Sequence, residues 1–180
     1  MKTLTLLRHA KSTWDDPVAR DFDRPLNSRG RRAAQTVGRE MRALGLRFDL
    51  VIASPAVRVR ETLEEVSRGY GETLEPSFDQ RIYLAPPGTL LELAQAITDD
   101  VTRLLIVGHN PGLEGLALRL SRAEGQMYAE LSEKYPTATL AEISLPAERW
   151  SEVTEGSGTL QRFMRPRDLD PELGPDEDSY

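Results

Sequence analysis

Short apolar runs alternate with helical patterns along the first two thirds of the chain. Continuous apolar runs of four to eight residues are typical of buried strands, whereas apolar positions three and four residues apart indicate helices with one buried face. The pattern predicts four strands here, at residues 3–7, 49–53, 73–78 and 103–107. It predicts four helices as well: one from an N-cap at Asn27 to a stop at Gly45, and three at residues 55–68, 89–97 and 111–120.

The last third is richer in strand patterns. Residues 138–145 and 158–165 alternate apolar and polar positions, and residues 150–153 are considered as a short strand between them. Since strands that alternate with helices form βαβ units, we expect an α/β fold with three layers, α/β/α, a mostly parallel central sheet and an antiparallel edge strand. Residues 1–165 are expected to form one domain, and residues 166–180 an acidic, proline-containing tail that is mobile or laid over the surface.

Composition narrows the function classes. The chain has 180 residues, 39% of them hydrophobic, and no cysteine, which excludes thiol catalysis, disulfides and thiolate metal sites. No apolar segment approaches a membrane span, and the first apolar run is too short for a signal peptide, so a cytoplasmic location is expected. The net charge of -6 resides mainly in the tail, and the nearly neutral remainder gives no basic footprint for nucleic acid. With neither a Walker nor a Rossmann motif, no cofactor is expected.

Three predicted strand ends carry the candidate chemistry. Arg8 and His9 follow the first strand, Arg58 lies in the first turn of the helix after the second, and His109 follows the strand at 103–107. The carboxyl ends of parallel strands lie along one edge of a sheet, so these side chains can converge. Two helix N-termini add partial positive charge at that edge. The sequence therefore predicts a cationic pocket suited to a phosphate-like dianion.

The chemistry favoured by this pocket is phosphoryl transfer to an imidazole. A neutral histidine is a nucleophile near pH 7 and can pass a phosphoryl group on to water. In this interpretation His9 attacks, while Arg8, Arg58 and His109 hold the phosphate oxygens, and no metal is required. Two other classes stay open: a phosphate-binding module without catalysis, and a metal hydrolase using Asp15, Asp16 and the histidines, although these histidines lack paired-ligand spacing.

Several short motifs resemble those of the histidine phosphatase superfamily, the phosphoglycerate-mutase-like group. They are Arg8-His9-Ala10 with Ser12 and Trp14, Pro25-Leu26 with Gly30 and Ala34, Ser54-Pro55-x-x-Arg58-x-x-Glu61-Thr62, and Val107-Gly108-His109-Asn110. Within that group, the short length and the RHAKS opening are similar to the SixA-type phosphohistidine phosphatases of bacteria. The resemblance implies a doubly covered α/β fold, His9 as the phosphorylated nucleophile, Arg8 and Arg58 as phosphate clamps, and His109 as the second pocket histidine.

The chain also departs from the superfamily's pattern. Ala10 replaces the usual Gly, and Asp15 stands where many members have a phosphate-contacting Asn. Ser12 and Asp15 are therefore candidates for the pocket rim. Many members carry a carboxylic proton donor in the middle segment, for which this chain offers Asp79 and, less well placed, Glu92.

The lack of a well-placed proton donor affects which substrate is expected. An alkoxide leaving group needs a general acid, whereas the protonated imidazole of phosphohistidine leaves readily. The segment from residue 62 to residue 103 is also too short for the helical lid with which relatives enclose small phosphates. We therefore expect a phosphorylated protein, a histidine phosphotransfer domain, as the partner. A small phosphoester is the alternative, and the oligomeric state is left open.

Overall fold

In a computed structural model that describes residues 1–17 and 20–174, the chain folds around a six-stranded sheet with helices on both faces. The strands are β1 (Lys2–Arg8), β2 (Leu50–Ala53), β3 (Pro76–Phe78), β4 (Arg103–Gly108), β5 (Leu140–Leu145) and β6 (Thr159–Met164). The helices are α1 (Ser28–Ala43), α2 (Val57–Tyr70), α3 (Pro87–Gln95), α4 (Gly112–Leu120), α5 (Gln126–Glu133) and α6 (Pro166–Leu169). Short 3-10 helices lie at Asp21–Asp23, Gln80–Ile82, Trp150–Glu152 and Pro171–Leu173.

The strand order across the sheet is β3-β2-β4-β1-β5-β6. The first four strands in that order are parallel, β5 pairs antiparallel with β1, and β6 pairs antiparallel with β5. The predicted three-layer α/β/α class with a mostly parallel sheet is confirmed. The antiparallel pairing expected near one edge is made by the hairpin of β5 and β6.

Both faces of the sheet are covered, which explains the continuous apolar strands. Leu104 and Ile106 of β4 point into a core shared with α3, α4 and α5, while Leu105 and Val107 point into a core shared with α1 and α2. All four side chains are fully buried. A strand between two helical layers has no solvent face, so a polar residue on either side would be costly.

Close packing of α1 against α2 depends on two glycines. An added Cβ at Gly38 would lie 2.1 Å from the Val66 carbonyl oxygen, and one at Gly69 would lie 2.1 Å from the Gln35 carbonyl oxygen. Only a residue without a side chain lets the two backbones approach this closely. Because α2 carries Arg58, this packing also positions one of the candidate phosphate ligands.

Several local predictions differ from the structure. Helix α3 begins and ends two residues earlier than predicted, and β3 begins at Pro76, three residues later than predicted. The segment at 150–153 is a 3-10 helix, because the buried Trp150 donates its indole N–H to the Val101 carbonyl oxygen at 2.7 Å and packs into the core instead of pairing as a strand. Helix α2 begins at Val57, two residues later than predicted. Helix α5 was not predicted: only Leu131 of it is buried, so it shows little apolar periodicity.

Residues 166–174 lie against α1. Arg32 makes ion pairs with Asp170 at 2.7 Å and with Glu172 at 2.6 Å, and the nearby Leu173 side chain is buried. Arg29 donates to the Gly174 carbonyl oxygen at 2.8 Å. Residues 175–180, the remainder of the predicted tail, lie outside the described residues.

Candidate active site

Three neighbouring strands end at the same cleft. The strands β2, β4 and β1 are adjacent in the sheet, and the residues that follow their carboxyl ends are Ser54, His109 and His9. The rings of His9 and His109 are 5.4 Å apart, centroid to centroid. The cleft has a volume of about 180 Å³ and includes Arg8, His9, Arg58 and His109 in its lining. The structure thus brings together the four residues that the sequence placed at one sheet edge.

The hydrogen bonds of His9 define its tautomer. Its main chain is held on both sides, since the N–H donates to the Gly108 carbonyl oxygen at 3.0 Å and its carbonyl oxygen accepts from the Ala138 N–H at 3.0 Å. Nδ1 lies 2.7 Å from the Ala10 carbonyl oxygen, which can only accept, so Nδ1 carries the proton. Burial and the charge of Arg8 lower the pKa of His9 well below its usual value. His9 is therefore neutral at pH 7, with the lone pair on Nε2.

Thr62 connects the His9 loop to α2. Its Oγ1 accepts from the Ala10 N–H at 2.9 Å and donates to the Arg58 carbonyl oxygen at 2.6 Å. The neighbouring Glu61 accepts from the Leu26 N–H at 2.9 Å. These two members of the sequence motif therefore hold the loops around the cleft in place.

Arg8 and Arg58 are both almost completely buried. Arg8 donates to the Tyr135 carbonyl oxygen at 2.8 Å, and burial lowers its pKa to about 10, which leaves it cationic at neutral pH. The Nε–H groups of both arginines have no hydrogen-bond acceptor among the described residues. Arg60 lies on the exposed side of α2 and donates to the Pro55 carbonyl oxygen. Of Arg58 and Arg60, only Arg58 lines the cleft.

His109 is held at both ring nitrogens. Arg58 Nη2 lies 3.2 Å from Nδ1, and because a guanidinium only donates, Nδ1 accepts in this arrangement. Nε2 then carries the proton and donates to Ser54 Oγ at 2.8 Å. Burial and the charge of Arg58 lower the pKa of His109 to about 3. A proton on Nδ1 would face the Arg58 guanidinium, which has no acceptor, so the Nε2–H tautomer is the one that this arrangement supports.

Asp21 is a cleft residue that the sequence did not single out. Its Oδ2 accepts from Arg58 Nη2 at 3.0 Å and from the Tyr83 hydroxyl, and its Oδ1 accepts from Arg24 Nη2 at 3.1 Å. Burial alone would raise the pKa of Asp21, but the Tyr83 hydrogen bond and the charge of Arg58 outweigh it and lower the pKa to about 2. The available signal was positional: the polar loop that carries Asp21 and Arg24 leaves the same strand end as His9.

The cleft is strongly cationic. Its lining holds Arg8, Lys11, Arg24 and Arg58 against the single carboxylate of Asp21, an excess of three positive charges among the described residues. This excess suits a phosphate dianion, whose equatorial oxygens need several donors.

The rim of the cleft combines polar, apolar and strained features. Ser12 lies at the rim and accepts from Arg24 Nη1 at 2.6 Å, while the exposed Trp14 ring stacks on the Arg24 guanidinium, with 3.3 Å from Cζ to the ring centroid. Leu84, another exposed rim residue, has a left-handed backbone with φ of 51°, and the buried Ala138 beside His9 has φ of 58°. Strained non-glycine backbone of this kind is typical of functional sites.

Three other predicted residues lie outside the lining of the cleft. Asp15 is exposed and is not among the residues that line the cleft. Asp79 caps a 3-10 helix through the Arg81 N–H and also pairs with the Arg81 side chain, which lowers the pKa of Asp79. Glu92 lies on the exposed side of α3. None of the three carboxylates is near the imidazoles in the cleft lining.

The described residues contain neither a cluster suited to a metal ion nor a membrane-spanning helix. No group of three or more His, Asp or Glu side chains is arranged to hold a metal ion. No helix in the described part of the chain is both long and apolar enough to cross a membrane.

Comparison with known proteins relates the site to a family. Residues 4–83 match the model of the histidine phosphatase superfamily, branch 1. An uncharacterised protein of Mycobacterium tuberculosis is 38% identical over 164 residues, which cover 89% of this chain and all of that protein. A structure from Agrobacterium tumefaciens assigned as the phosphohistidine phosphatase SixA is 30% identical with a TM-score of 0.77, covering 92% of this chain and 98% of that one. A SixA assignment from Nakamurella multipartitia is 27% identical with a TM-score of 0.79, covering 92% and 96%. With its matching motifs, fold and histidine cleft, this chain belongs to the histidine phosphatase superfamily.

Proposed function

We propose that this protein is a phosphatase that forms a phosphohistidine on His9 and takes its phosphoryl group from a histidine of another protein. The observation that carries the proposal is the state of His9. Its Nδ1–H is bound to a carbonyl oxygen, its ring is neutral, and Nε2 has no hydrogen-bond partner among the described residues. An imidazole in this state is a nucleophile that needs no separate base.

The reaction would proceed in two displacements. In the first, the Nε2 lone pair of His9 attacks phosphorus, the bond from phosphorus to the leaving atom of the substrate breaks, and the leaving group takes up a proton. In the second, water attacks the phosphohistidine, the bond between phosphorus and Nε2 breaks, and inorganic phosphate leaves. The cations of Arg8 and Arg58 would stabilise the equatorial oxygens in both steps.

The absence of a suitable acid in the described cleft favours a phosphohistidine substrate. Asp21 is the only carboxylate in the lining that the structure describes, and a pKa of about 2 keeps it ionised at neutral pH. A sugar or alcohol phosphate would have to expel a basic oxygen without a general acid. The imidazole of phosphohistidine is a better leaving group once its nitrogen is protonated, and solvent can supply that proton.

Substrate competition tests the proposal. A phosphorylated histidine phosphotransfer domain and a panel of sugar and alcohol phosphates are compared by kcat/KM, and quenched reactions are analysed for phosphate that is acid-labile, base-stable and bound at His9. We expect the phosphoprotein to be preferred by at least tenfold and the adduct to be lost in His9→Ala. An active His9→Ala variant would refute the mechanism. A preference for small phosphomonoesters would refute the substrate class, and tight phosphate binding without turnover would leave a binding module.

A further inference from the structure

Two exposed apolar side chains line the cleft. Trp14 is 66% exposed and Leu84 is 54% exposed, and neither belongs to the two buried cores that the described residues form. Single exposed apolar residues are common on protein surfaces and need no functional explanation. These two share the rim of a strongly cationic cleft, so their role has to be considered together with that site.

Leu84 occupies a turn position that favours glycine. Residues 82–85 form a tight turn, in which the Ala85 N–H donates to the Ile82 carbonyl oxygen at 3.2 Å. Tyr83 has φ of -61° and ψ of 114°, and Leu84 has φ of 51°, as in a type II turn. The second central residue of such a turn is usually Gly or Asn, because a side chain is strained at positive φ. Leu84 therefore strains the backbone and exposes apolar surface at the same time, and both effects oppose folding.

The turn is held on both sides of Leu84. The Tyr83 hydroxyl donates to Asp21 Oδ2, and the Tyr83 ring lies edge-on to His109 with 5.3 Å between the ring centroids. On the other side the Ala85 carbonyl oxygen packs against α4, where an added Cβ at Gly112 would lie 2.0 Å from it. Because both neighbours are fixed, the Leu84 side chain is kept at the rim of the cleft. Strained residues that the surrounding structure holds in place are typical of ligand contacts.

Trp14 provides a rigid apolar surface beside the same cleft. One face of its ring lies on the Arg24 guanidinium. Arg24 is itself buried and held by hydrogen bonds to Ser12 and Asp21, so the ring has a fixed support. The rest of the ring stays exposed. An aromatic side chain that is already held in place loses little further conformational freedom when a partner covers it, and Trp is enriched among the residues that dominate protein interfaces.

The cleft alone holds only part of the proposed substrate. Its volume of about 180 Å³ lies below the range of roughly 300–1,000 Å³ that is typical of pockets enclosing a whole small ligand. A phosphoryl group and the imidazole that carries it would occupy much of this space. The remainder of a phosphorylated protein therefore lies at the rim, where Trp14 and Leu84 are exposed.

We propose that Trp14 and Leu84 contact the surface of the phosphorylated protein around its phosphohistidine and thereby select a protein over a small phosphate compound. The inference rests on the proposed function. The cations of the cleft attract any phosphorylated compound, because every such substrate carries the same phosphoryl group. Contacts with the apolar rim are available only to a partner with apolar side chains beside its phosphohistidine, so the rim supplies the difference in affinity on which specificity depends.

Leu84→Asn separates docking from folding. Asparagine is polar and tolerates a positive φ, so the Tm should be unchanged or a few degrees higher than that of the wild type. We expect kcat/KM for a phosphorylated histidine phosphotransfer domain to fall about 5- to 20-fold. For phosphoramidate, which has a P–N bond and nothing beyond the nitrogen, kcat/KM should change less than twofold. Met127→Asn, at an exposed apolar position outside the cleft lining, should change neither value by more than twofold.

The fluorescence of Trp14 gives a readout that does not depend on turnover. The chain has two tryptophans, and Trp150 is completely buried, so a protein that docks at the rim should change the emission of Trp14. The phosphorylated domain is titrated into His9→Ala, which removes the nucleophile. We expect a saturable change that disappears when Trp14→Phe is added to His9→Ala. Addition of Leu84→Asn instead should raise the Kd about 5- to 20-fold.

Several results would overturn the proposal. Equal losses of kcat/KM for phosphoramidate and for the phosphorylated domain in Leu84→Asn would indicate damage to the cleft itself. An unchanged kcat/KM for the domain, or a titration that leaves the emission of Trp14 unchanged, would show that the rim does not contact the partner. Hydrolysis of phosphoramidate alone by the wild type would count against both proposals. If the wild type hydrolysed neither compound, the proposed function would fail, while the fluorescence titration would still decide whether a phosphorylated protein docks at the rim.

Discussion

Ser54 provides a sharp test of how the second histidine is held. Its side chain is completely buried, and Oγ accepts from His109 Nε2 at 2.8 Å and from the Ala56 N–H at 3.3 Å. Ser54→Ala leaves both donors without this acceptor. A buried donor that loses its acceptor costs about 1–3 kcal/mol. Because the Ala56 hydrogen bond is long, we expect the variant to lose about 2–4 kcal/mol of unfolding free energy in total.

Ser121 offers a matched control. It is also buried, at 3% exposure, but its Oγ has no hydrogen-bond partner among the described residues. Ser121→Ala should therefore be neutral or slightly stabilising. Urea denaturation followed by circular dichroism gives both free energies on the same scale. Equal stabilities of the two variants would refute the account of Ser54 as the partner of His109.

The same substitution should affect catalysis separately from stability. Without Ser54, the hydrogen bond with Arg58 is the one that the His109 ring keeps among the described residues, so its tautomer is no longer held from the second side. At metal sites, loss of the outer hydrogen-bond partner that orients a histidine costs about 10–100-fold, and we expect the same range for an imidazole that contacts phosphate. We expect a fall of this size in kcat for Ser54→Ala under conditions where the variant is fully folded, and less than a twofold change for Ser121→Ala. An unchanged kcat would show that the ring is oriented by other contacts.

Three further predictions concern phosphate contact, helix packing and pH. Arg58→Ala should lower kcat/KM by at least about 100-fold, because it removes a buried cation that stabilises the transition state. Arg60→Ala should change kcat/KM less than twofold. Similar losses of kcat/KM for the two variants in steady-state assays would contradict the placement of Arg58. Gly38→Ala should destabilise the protein by about 1–3 kcal/mol or more in urea unfolding, since its Cβ would overlap a backbone oxygen of α2, while Gly88→Ala, where nothing lies within 4 Å, should not destabilise it. The pKa of His109 is about 3 in the folded state and about 6.5 in the unfolded state. Between pH 6.5 and pH 3 the unfolded state therefore binds more protons, and the free energy of unfolding falls as the pH drops through that range. From pH 7 to pH 5 the loss of unfolding free energy amounts to about 2 kcal/mol, and His109→Gln should reduce it. If the variant lost stability with pH as steeply as the wild type, other groups would be the source of the pH dependence.

The sheet edge that carries the candidate site could be predicted because its residues follow apolar runs. Strands β1, β2 and β4 are buried on both faces, so each appears in the sequence as an uninterrupted apolar segment. Once these strands are taken as parallel, the residues after them must share one edge. This topological argument placed His9, Arg58 and His109 together without any knowledge of a distance.

The carboxylates of the site could not be predicted in this way. Asp15 and Asp21 lie in the same polar loop, and the motif drew attention to Asp15. In the folded protein Asp21 enters the cleft, because a 3-10 helix at Asp21–Asp23 directs it toward Arg58 and Tyr83, while Asp15 stays exposed. Asp79, expected as a possible acid, is instead paired with Arg81, two residues away.

The sequence is enough to predict the six strands, helices α1 to α4, the edge of the sheet where the candidate site lies, and the histidines and arginines gathered there. These features depend on local periodicity and on strand direction, which short segments of chain specify. Three features become visible only in the folded protein: which carboxylate enters the cleft, which nitrogen of each histidine carries the proton, and that both imidazoles are neutral. Protonation depends on burial and on charges brought from distant segments, as when Arg58 meets His109 across 51 positions of sequence. The spacing of residues along the sequence does not show how far apart such side chains lie in the folded protein.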